Sequence, residues 1–363
     1  MTTTVQSPRT SSTLLGRAAK VAELLTTPLL PADYLDIVSP LRSGADLRGR
    51  IVAVHPETRD AVTLVIRPGR GWDQHTPGQY VRIGIDVAGV RQWRAYSLTS
   101  PYDRDDGCIT ITVKAIPDGK VSNHLVRRAR PGTLIHLDQA RGDFVLPDQR
   151  PGKALFLTAG SGITPVMGML RNAIDELEDV VVLHSAPTSS DVIFAGELRG
   201  LADLGRIRLV EKHTDTDGML DLADLADIVP DWAERETWAC GPTGLLDAVE
   251  QHWEQGDTAA ALHTERFRPA VLVTGEGGTV SFSGIDRTIE ADGATPILDA
   301  GEAAGVLMPS GCRMGICFGC VLPLREGAVR DLRDGEITTA APGDGVKIQT
   351  CVSAAAGSCD IDL

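Results

Sequence analysis

The 363-residue chain predicts a multidomain protein of the β and α/β classes: an antiparallel β-barrel, a doubly wound parallel α/β unit, and a small β-rich C-terminal unit. Three observations predict it. Short alternating strands follow one another from Gly49 to Leu146, strand and helix alternate beyond Pro151, and Cys312, Cys317 and Cys320 stand at C-x4-C-x2-C spacing with Cys351 further on.

Composition narrows the function before any motif does. Hydrophobic residues make up 42%, which allows several cores, yet no run of about 18 apolar residues exists and Met1 to Ser12 lacks an apolar signal region. The expectation is a cytoplasmic protein. Seven cysteines in a chain of this length are no disulfide framework, and thiolate ligands need a reducing compartment. A net charge of −14 argues against nucleic acid as a partner, since phosphate recognition runs on Lys and Arg. From Gly275 to Leu363 there are 13 Asp and Glu against 6 Lys and Arg, a net of −7. Such an acidic shell either steers a basic partner or simply keeps the surface soluble.

Residues 1–45 read as an N-terminal arm. Residues 1–12 are Ser/Thr-rich and patternless, an expectation of disorder. Leu14, Ala18, Val21, Ala22 and Leu25 then recur at helical spacing, and Pro28 and Pro31 end that amphipathic helix. The apolar residues that follow, from Leu29 to Val38, either pack across the next domain or make a peripheral contact with a membrane or partner.

Residues 46–149 hold the barrel strands, expected at Arg50 to His55, Ala61 to Arg67, Gln79 to Asp86, Val90 to Leu98, Cys108 to Ile116 and Thr133 to Asp138. Pro68-Gly69 and Asp106-Gly107 mark turns between them. Residues 150–268 change rhythm. Strands are expected at Ala154 to Ala159, Asp179 to His184, Arg206 to Lys212 and Glu236 to Cys240, with helices at Pro165 to Glu178, Phe194 to Leu204, Leu220 to Ile228 and Thr243 to Gln255. Ligands of such sheets lie at the carboxyl ends of the strands, so the tips near Gly160, His184 and Cys240 are expected to face one crevice. Residues 269–277, rich in glycine, read as a linker, and 278–363 as the last unit. There a hairpin is expected at Thr279 to Gly284 and Arg287 to Asp292, a helix at Thr295 to Gly305 and a final strand at Cys359 to Leu363.

Four constellations carry chemistry. In Arg94-Ala95-Tyr96-Ser97 the alternation puts Arg94 and Tyr96 on one strand face, where an arginine holds phosphate, an aromatic ring stacks on a flat heterocycle and the next hydroxyl reaches a ring nitrogen. A strand with an exposed Arg and a half-buried Tyr reads the same way. Gly119-Lys120-Val121-Ser122 opens a helix with Ser122 as the expected N-cap, and free amides at a helix start suit a pyrophosphate. In Gly160-Ser161-Gly162-Ile163-Thr164-Pro165, Gly160 and Gly162 let backbone approach a phosphate, Thr164 is the expected N-cap and Pro165 the first helical residue. A plain strand-to-helix turn uses similar residues. The fourth constellation is the cysteine set. Four thiolates at this spacing match a plant-type 2Fe-2S site, with Gly311, Gly315 and Gly319 relieving the loop. Zinc is the rival, though zinc sites usually pair two C-x2-C hooks or mix in histidine, and no His lies between Cys312 and Cys351.

The run Cys-Arg-Met-Gly-Ile-Cys-Phe-Gly-Cys resembles the cluster loop of plant-type ferredoxins, which implies a β-grasp fold for the last 85 to 90 residues and leaves Cys359, Cys108 and Cys240 outside the ligand set. Arg94-Ala95-Tyr96-Ser97 with Gly119 to Ser122 resembles the flavin-binding signature of the ferredoxin-NADP reductase superfamily. The Gly160 turn with Cys240-Gly241-Pro242 resembles its pyridine-nucleotide half. The resemblance implies that Cys240 lies beside the nicotinamide during hydride transfer and, with Ser97, forms the catalytic pair. His263 to Phe267 ends where relatives carry a Glu-x-Phe string, making Phe267 a candidate ring neighbour of the flavin or else a core aromatic at a domain seam.

A nicotinamide gives two electrons as hydride, an iron-sulfur centre takes one at a time, and a flavin converts between them. The implied function is therefore an NAD(P)H-dependent reductase that feeds an external protein. FAD rather than FMN is the flavin that domain order in relatives implies. NADPH rather than NADH follows from the run His184 to Ser190, which holds no acid to repel a 2′-phosphate before Asp191; any basic contact comes from Arg199 or Lys212. Leu29-Leu30-Pro31-Ala32-Asp33-Tyr34-Leu35 and Cys351 to Gly357 resemble partners of membrane di-iron acyl-CoA desaturases. An oxygenase reductase and an iron-sulfur redox sensor are the alternatives.

Overall fold

The computed structural model describes residues 38–42, 46–87, 90–117, 119–256, 258–267, 275–311, 313–315 and 318–363. The expected arm helix, most of the linker, Cys312 and Cys317 lie outside the described residues.

Six strands form the first unit: β1 (Arg48–Thr58), β2 (Ala61–Pro68), β3 (Tyr80–Val87), β4 (Val90–Ser97), β5 (Ile109–Lys114) and β6 (Leu134–Leu137). They pair antiparallel in the order β4-β3-β6-β1-β2-β5. The two outer strands then meet, because Leu98 bridges Ile111 and the Thr99 amide donates to the Thr110 carbonyl at 2.8 Å. The sheet is thereby a barrel, filled by Ile51, Leu64, Ile66, Ile83, Ile111 and Ile135. Helix α1 (Lys120–Arg128) closes one end with Val121 and Leu125 turned inward.

The second unit is a parallel sheet of β7 (Lys153–Ala159), β8 (Asp179–Ala186), β9 (Arg208–His213), β10 (Glu236–Cys240) and β11 (Leu262–Glu265) in the order β11-β10-β7-β8-β9. Both faces are covered: Phe156, Val182 and Trp238 join one core, Leu155, Leu157 and Leu183 the other. Helices α2 (Ile163–Ala173), α3 (Ala195–Asp203), α4 (Leu225–Ile228) and α5 (Thr243–Gln255) connect the strands. The strand order reverses between β7 and β10, which makes the gap at their carboxyl ends the crevice of the sheet.

The third unit is a mixed sheet, β13-β12-β17-β14-β15, from β12 (Gly275–Phe282), β13 (Arg287–Gly293), β14 (Val321–Asp331), β15 (Ile337–Ala340) and β17 (Ser353–Ile361), with β16 (Lys347–Gln349) paired to β14. Strands β12 and β17 run parallel and the remaining pairs antiparallel, the β-grasp arrangement, with α6 (Ile297–Ala303) packed on the core.

Several boundaries move. The glycine run read as linker to residue 277 is already strand from Gly275, because β12 must pass close to its neighbours: a Cβ on Gly278 would lie 2.1 Å from the Gly357 carbonyl oxygen. The last strand starts at Ser353 rather than Cys359, since Ala354 and Ala355 are small enough to bury fully in the pleat. Leu220 to Ile228 shortens to a 3-10 turn and the single-turn α4.

Candidate functional site

The barrel and the parallel sheet meet where strand β4 ends. Helix α2 crosses at Gly168, where a Cβ would lie 2.4 Å from the Leu98 carbonyl oxygen, so the helix backbone rests directly on the residue after Ser97. Arg171 Nη1, one turn further along, donates to the Thr99 carbonyl at 2.6 Å, and Asn172 Nδ2 reaches the Ser100 carbonyl at 3.3 Å. The other end of α2 begins at the glycine turn. One helix thus links the Arg94–Ser97 motif to the Gly160–Gly162 motif.

In β4 the Ser97 hydroxyl oxygen is buried and has no hydrogen-bond partner among the described residues. A hydroxyl in that state costs about 1–3 kcal/mol unless something else pairs with it. Arg94 is largely desolvated, donates to the Trp93 carbonyl at 2.7 Å, and has its pKa lowered by burial and then by the like charge of Arg313. Tyr96, Glu302 and Asp299 act in the opposite direction. Burial pushes the Tyr96 phenol well up. A half-buried cation with no carboxylate bonded to it among the described residues, an aromatic ring and an orphaned hydroxyl on one strand end suit an anionic, flat-ringed ligand.

Two expected caps are corrected. Gly119 rather than Ser122 is the N-cap of α1; Ser122 sits inside the first turn, with its hydroxyl 3.4 Å from the Gly119 carbonyl. A Cβ at Gly119 would lie 2.5 Å from both Ile116 Cγ1 and Ser122 Oγ, so a larger residue there requires those side chains to shift. Likewise Gly162 caps α2, while Thr164 is already helical and donates back to the Ser161 carbonyl at 2.9 Å. Pro165 stands third in the helix rather than first. A 3-10 turn at Gly160–Gly162, with Gly160 at φ +54°, starts the coil earlier than the proline suggests.

The crevice itself joins two motifs. A Cβ on Gly162 would lie 2.0 Å from the Cys240 carbonyl oxygen and 2.9 Å from the Gly241 nitrogen, so the glycine turn and the Cys240-Gly241-Pro242 tip touch backbone to backbone. His184 does not face this crevice. It is wholly buried, bonded through Nδ1 to Thr158 Oγ1 at 2.8 Å, and burial holds its pKa down to about 4. Strand β8 runs two residues past it, which carries the tip to Ala186.

Sequence reasoning passed over Glu265. It pairs in register with Cys240 across β10 and β11, its Oε2 is buried without a partner among the described residues, and burial raises its pKa to about 8. Burial also pushes the Cys240 thiol well up, with the Glu265 charge adding to the effect. At neutral pH the two therefore present a thiol and a protonated carboxyl side by side, able to hydrogen-bond a ligand without adding charge. The Glu-x-Phe string was the available signal. Phe267 packs against the core that holds Cys240 and Phe156.

In the third unit Cys320 and Cys351 are both buried. Thr350, next to Cys351, donates through Oγ1 to the Cys320 carbonyl at 3.0 Å, tying the loop cysteine to the distant one. Gln349 Nε2 holds the Gly315 carbonyl at 2.7 Å. Gly315, Arg313 and Phe318 all lie at positive φ, the curvature a loop needs to fold its thiols inward around a cluster. Arg313 is a second residue that sequence reasoning missed: it pairs with Asp299 and Glu302 on α6 and comes within electrostatic range of Arg94. Cys359 is buried in β17, and desolvation, then Asp360, push its thiol up to about 11.

Three family models match the chain in succession: an oxidoreductase FAD-binding domain over residues 73–146, an oxidoreductase NAD-binding domain over 156–251 and a 2Fe-2S iron-sulfur cluster binding domain over 280–356. The chain is 49% identical to a protein of Mycobacterium tuberculosis (strain ATCC 25618 / H37Rv) called NADPH oxidoreductase, over 95% of this chain and 91% of that one. It is 31% identical to the ferredoxin reductase component of a 3-ketosteroid-9-alpha-monooxygenase from Mycolicibacterium smegmatis, covering 77% and 86% of the two chains. Its fold is similar to that of phthalate dioxygenase reductase, with a TM-score of 0.59 at 22% identity over 87% of this chain and 97% of that one. Fold, site and relatives define an NAD(P)H-dependent oxidoreductase that uses FAD and a 2Fe-2S cluster. The chain belongs to the ferredoxin-NADP reductase family, in the branch whose flavin reductases carry a C-terminal 2Fe-2S domain.

The residues present fit these groups. The orphaned Ser97 hydroxyl and the desolvated Arg94 suit FAD, and the buried Cys320 and Cys351, tied together by Thr350, suit a thiolate-bound cluster. Among the described residues no group of three or more His, Cys, Asp or Glu side chains forms a metal site, as expected when Cys312 and Cys317 fall outside them.

Proposed function

We propose that this reductase passes electrons from NADPH to a membrane di-iron fatty acyl-CoA desaturase. Cys312, Cys317, Cys320 and Cys351 ligate the cluster; Arg94, Tyr96, Ser97, Gly119, Val121 and Ser122 hold the FAD. Gly160, Gly162, Thr164, Gly241 and Pro242 hold the nucleotide, with Cys240 and Ser97 at the reacting rings and Phe267 beside the flavin. The observation that carries the reading is helix α2, which starts at the Gly160–Gly162 turn and rests at Gly168 on the Leu98 carbonyl beside Ser97. Arg313, on the cluster loop, lies within electrostatic range of Arg94. Within this route the chain's own residues orient the rings, exclude water and keep Glu265 protonated, while the flavin supplies the change from paired to single electrons.

The desaturase as acceptor is supported by the likeness of residues 29–35 and 351–357 to desaturase partners. Reconstitution with a desaturase in phospholipid vesicles tests it: NADPH-dependent formation of unsaturated acyl-CoA supports the reading, and its absence alongside rapid cytochrome c reduction overturns it. One observation favours a second acceptor, a soluble oxygenase component: relatives carry names such as glycine betaine monooxygenase reductase subunit (Chromohalobacter salexigens), 30% identical over 76% of this chain. Oxygenase turnover with this reductase, and none with the desaturase, would select it.

NADPH as the donor is supported by Arg199, whose Nη2 donates to Ser189 Oγ at 2.8 Å in the loop after β8. Arg199 also makes a bidentate pair with Glu211, which a 2′-phosphate must share or displace. The acid of that loop, Asp191, is turned away, buried in a 3.1 Å ion pair with Arg59.

A further inference from the structure

The cluster loop asks for left-handed backbone at three described positions, Arg313 (φ +61°), Gly315 (φ +75°) and Phe318 (φ +55°). Glycine is the residue that adopts this conformation without strain, whereas another L-residue loses roughly 1–2 kcal/mol. A side chain kept at such a position needs a reason. For Arg313 the reason is within the chain, in its ion pairs with Asp299 and Glu302. Phe194 shows the same balance for an aromatic residue: it has φ +62° but is buried, with the Arg171 guanidinium 4.8 Å above its ring.

Among the described residues Phe318 has no such compensation. Its side chain is 68% exposed, on the loop between two expected cluster ligands, Cys317 and Cys320. An exposed aromatic ring in strained backbone contributes nothing visible to folding, so its reason lies outside the chain. Phe318 thus presents its ring to solvent on the loop that carries the expected ligands.

We propose that Phe318 is the apolar anchor by which a basic electron-accepting protein docks over the cluster. This rests on the reading of the chain as a reductase with a protein acceptor. Charge complementarity indicates the partner: the domain from Gly275 to Leu363 carries 13 acidic against 6 basic residues, a net of −7, so a basic face is drawn to it and the ring then seats the contact. Each encounter moves one electron from the reduced cluster to the oxidised acceptor, with no proton and no bond exchanged.

The test uses full-length holoenzyme with cytochrome c, a small basic haem protein, and ferricyanide, an inorganic acceptor that needs no docking surface. Phe318→Gly removes the ring and relaxes the backbone, so it retains cluster and flavin. It is expected to raise the KM for cytochrome c about five- to thirty-fold with little change in kcat, while ferricyanide rates stay within about two-fold. Phe318→Tyr, which keeps the ring, restores a KM within about two-fold of the parent. A Phe318→Gly protein with intact cluster absorbance and an unchanged KM for cytochrome c overturns the proposal, as does a loss of the cluster in Phe318→Gly, which would make the ring structural. If the parent protein reduces ferricyanide but no cytochrome c at all, the reading of a protein acceptor fails first, and separately.

Discussion

Replacing Gly162 by alanine should cripple hydride delivery while leaving the protein loaded. The added Cβ would lie 2.0 Å from the Cys240 carbonyl oxygen, 2.5 Å from its carbon and 2.9 Å from the Gly241 nitrogen, and all three are backbone atoms of a strand tip. Real Cβ atoms essentially never come within 3.0 Å of a neighbour, so one of the two loops must withdraw by about 1 Å or more. A displacement of that size at a hydride-transfer site costs about 10²-fold in rate. The three nearest atoms all belong to the Cys240-Gly241 tip and none to the barrel or the ferredoxin-like sheet, so FAD and cluster content should match the parent. Gly160→Ala is the control: its φ of +54° brings strain of about 1 kcal/mol, but nothing stands within 4 Å of the new methyl, and the expected loss is only a few-fold. Anaerobic stopped-flow bleaching of the flavin by NADPH measures both. A Gly162→Ala protein that bleaches within about two-fold of the parent would refute the reasoning that the two tips jointly shape the nucleotide site.

Glu265→Gln should flatten the pH dependence of stability. The folded carboxyl titrates at about 8, against about 4.3 for an unfolded glutamate, so the folded state holds the proton over that interval and the parent loses stability as pH rises through it. The loss is at most about 5 kcal/mol; thermal midpoints of the variant should gain on the parent between about pH 6 and pH 8.5, and parallel slopes would count against a buried proton. Cys351→Ser should lose the cluster absorbance and keep its flavin, whereas Cys359→Ser, in a strand of the core with its thiol held up to about 11, should keep both; a cluster-free Cys359→Ser protein would contradict the ligand assignment. Arg199→Ala should lower kcat/KM for NADPH about ten-fold and leave NADH within about two-fold, and equal losses with both nucleotides would remove Arg199 from the 2′-phosphate contact.

What the chain announces in advance is what local pattern can carry. Strand β2 is a continuous buried run from Ala61 to Ile66 and β7 is apolar on both faces, so each reads correctly from a handful of residues. Cysteine spacing likewise marks the cluster without any knowledge of the fold. The cap misreadings are local: the helices begin at Lys120 and Ile163, with Gly119 and Gly162 as their caps, so Ser122 and Thr164 already lie in the first turn. The other misreadings turn on a contact distant in sequence. The glycines at 275 to 278 look like a linker until Gly357 and Gly293 come against them. Glu265 is one acidic residue among 49 Asp and Glu until β11 pairs beside β10, and Arg313 is one more loop arginine until Asp299 and Glu302 pair with it. Contacts of this kind have no local signature.

The central claim, that one chain takes hydride from NADPH and delivers single electrons at a cluster, is tested most directly by anaerobic NADPH titration of the purified protein, followed by visible absorbance and EPR. FAD takes two electrons and a 2Fe-2S cluster one, so complete reduction should need about one and a half equivalents of NADPH per chain and end with flavin bleached and the EPR signal of a reduced cluster at about one spin per chain. Flavin bleaching complete at one equivalent, with no cluster signal however much NADPH is added, would contradict the account.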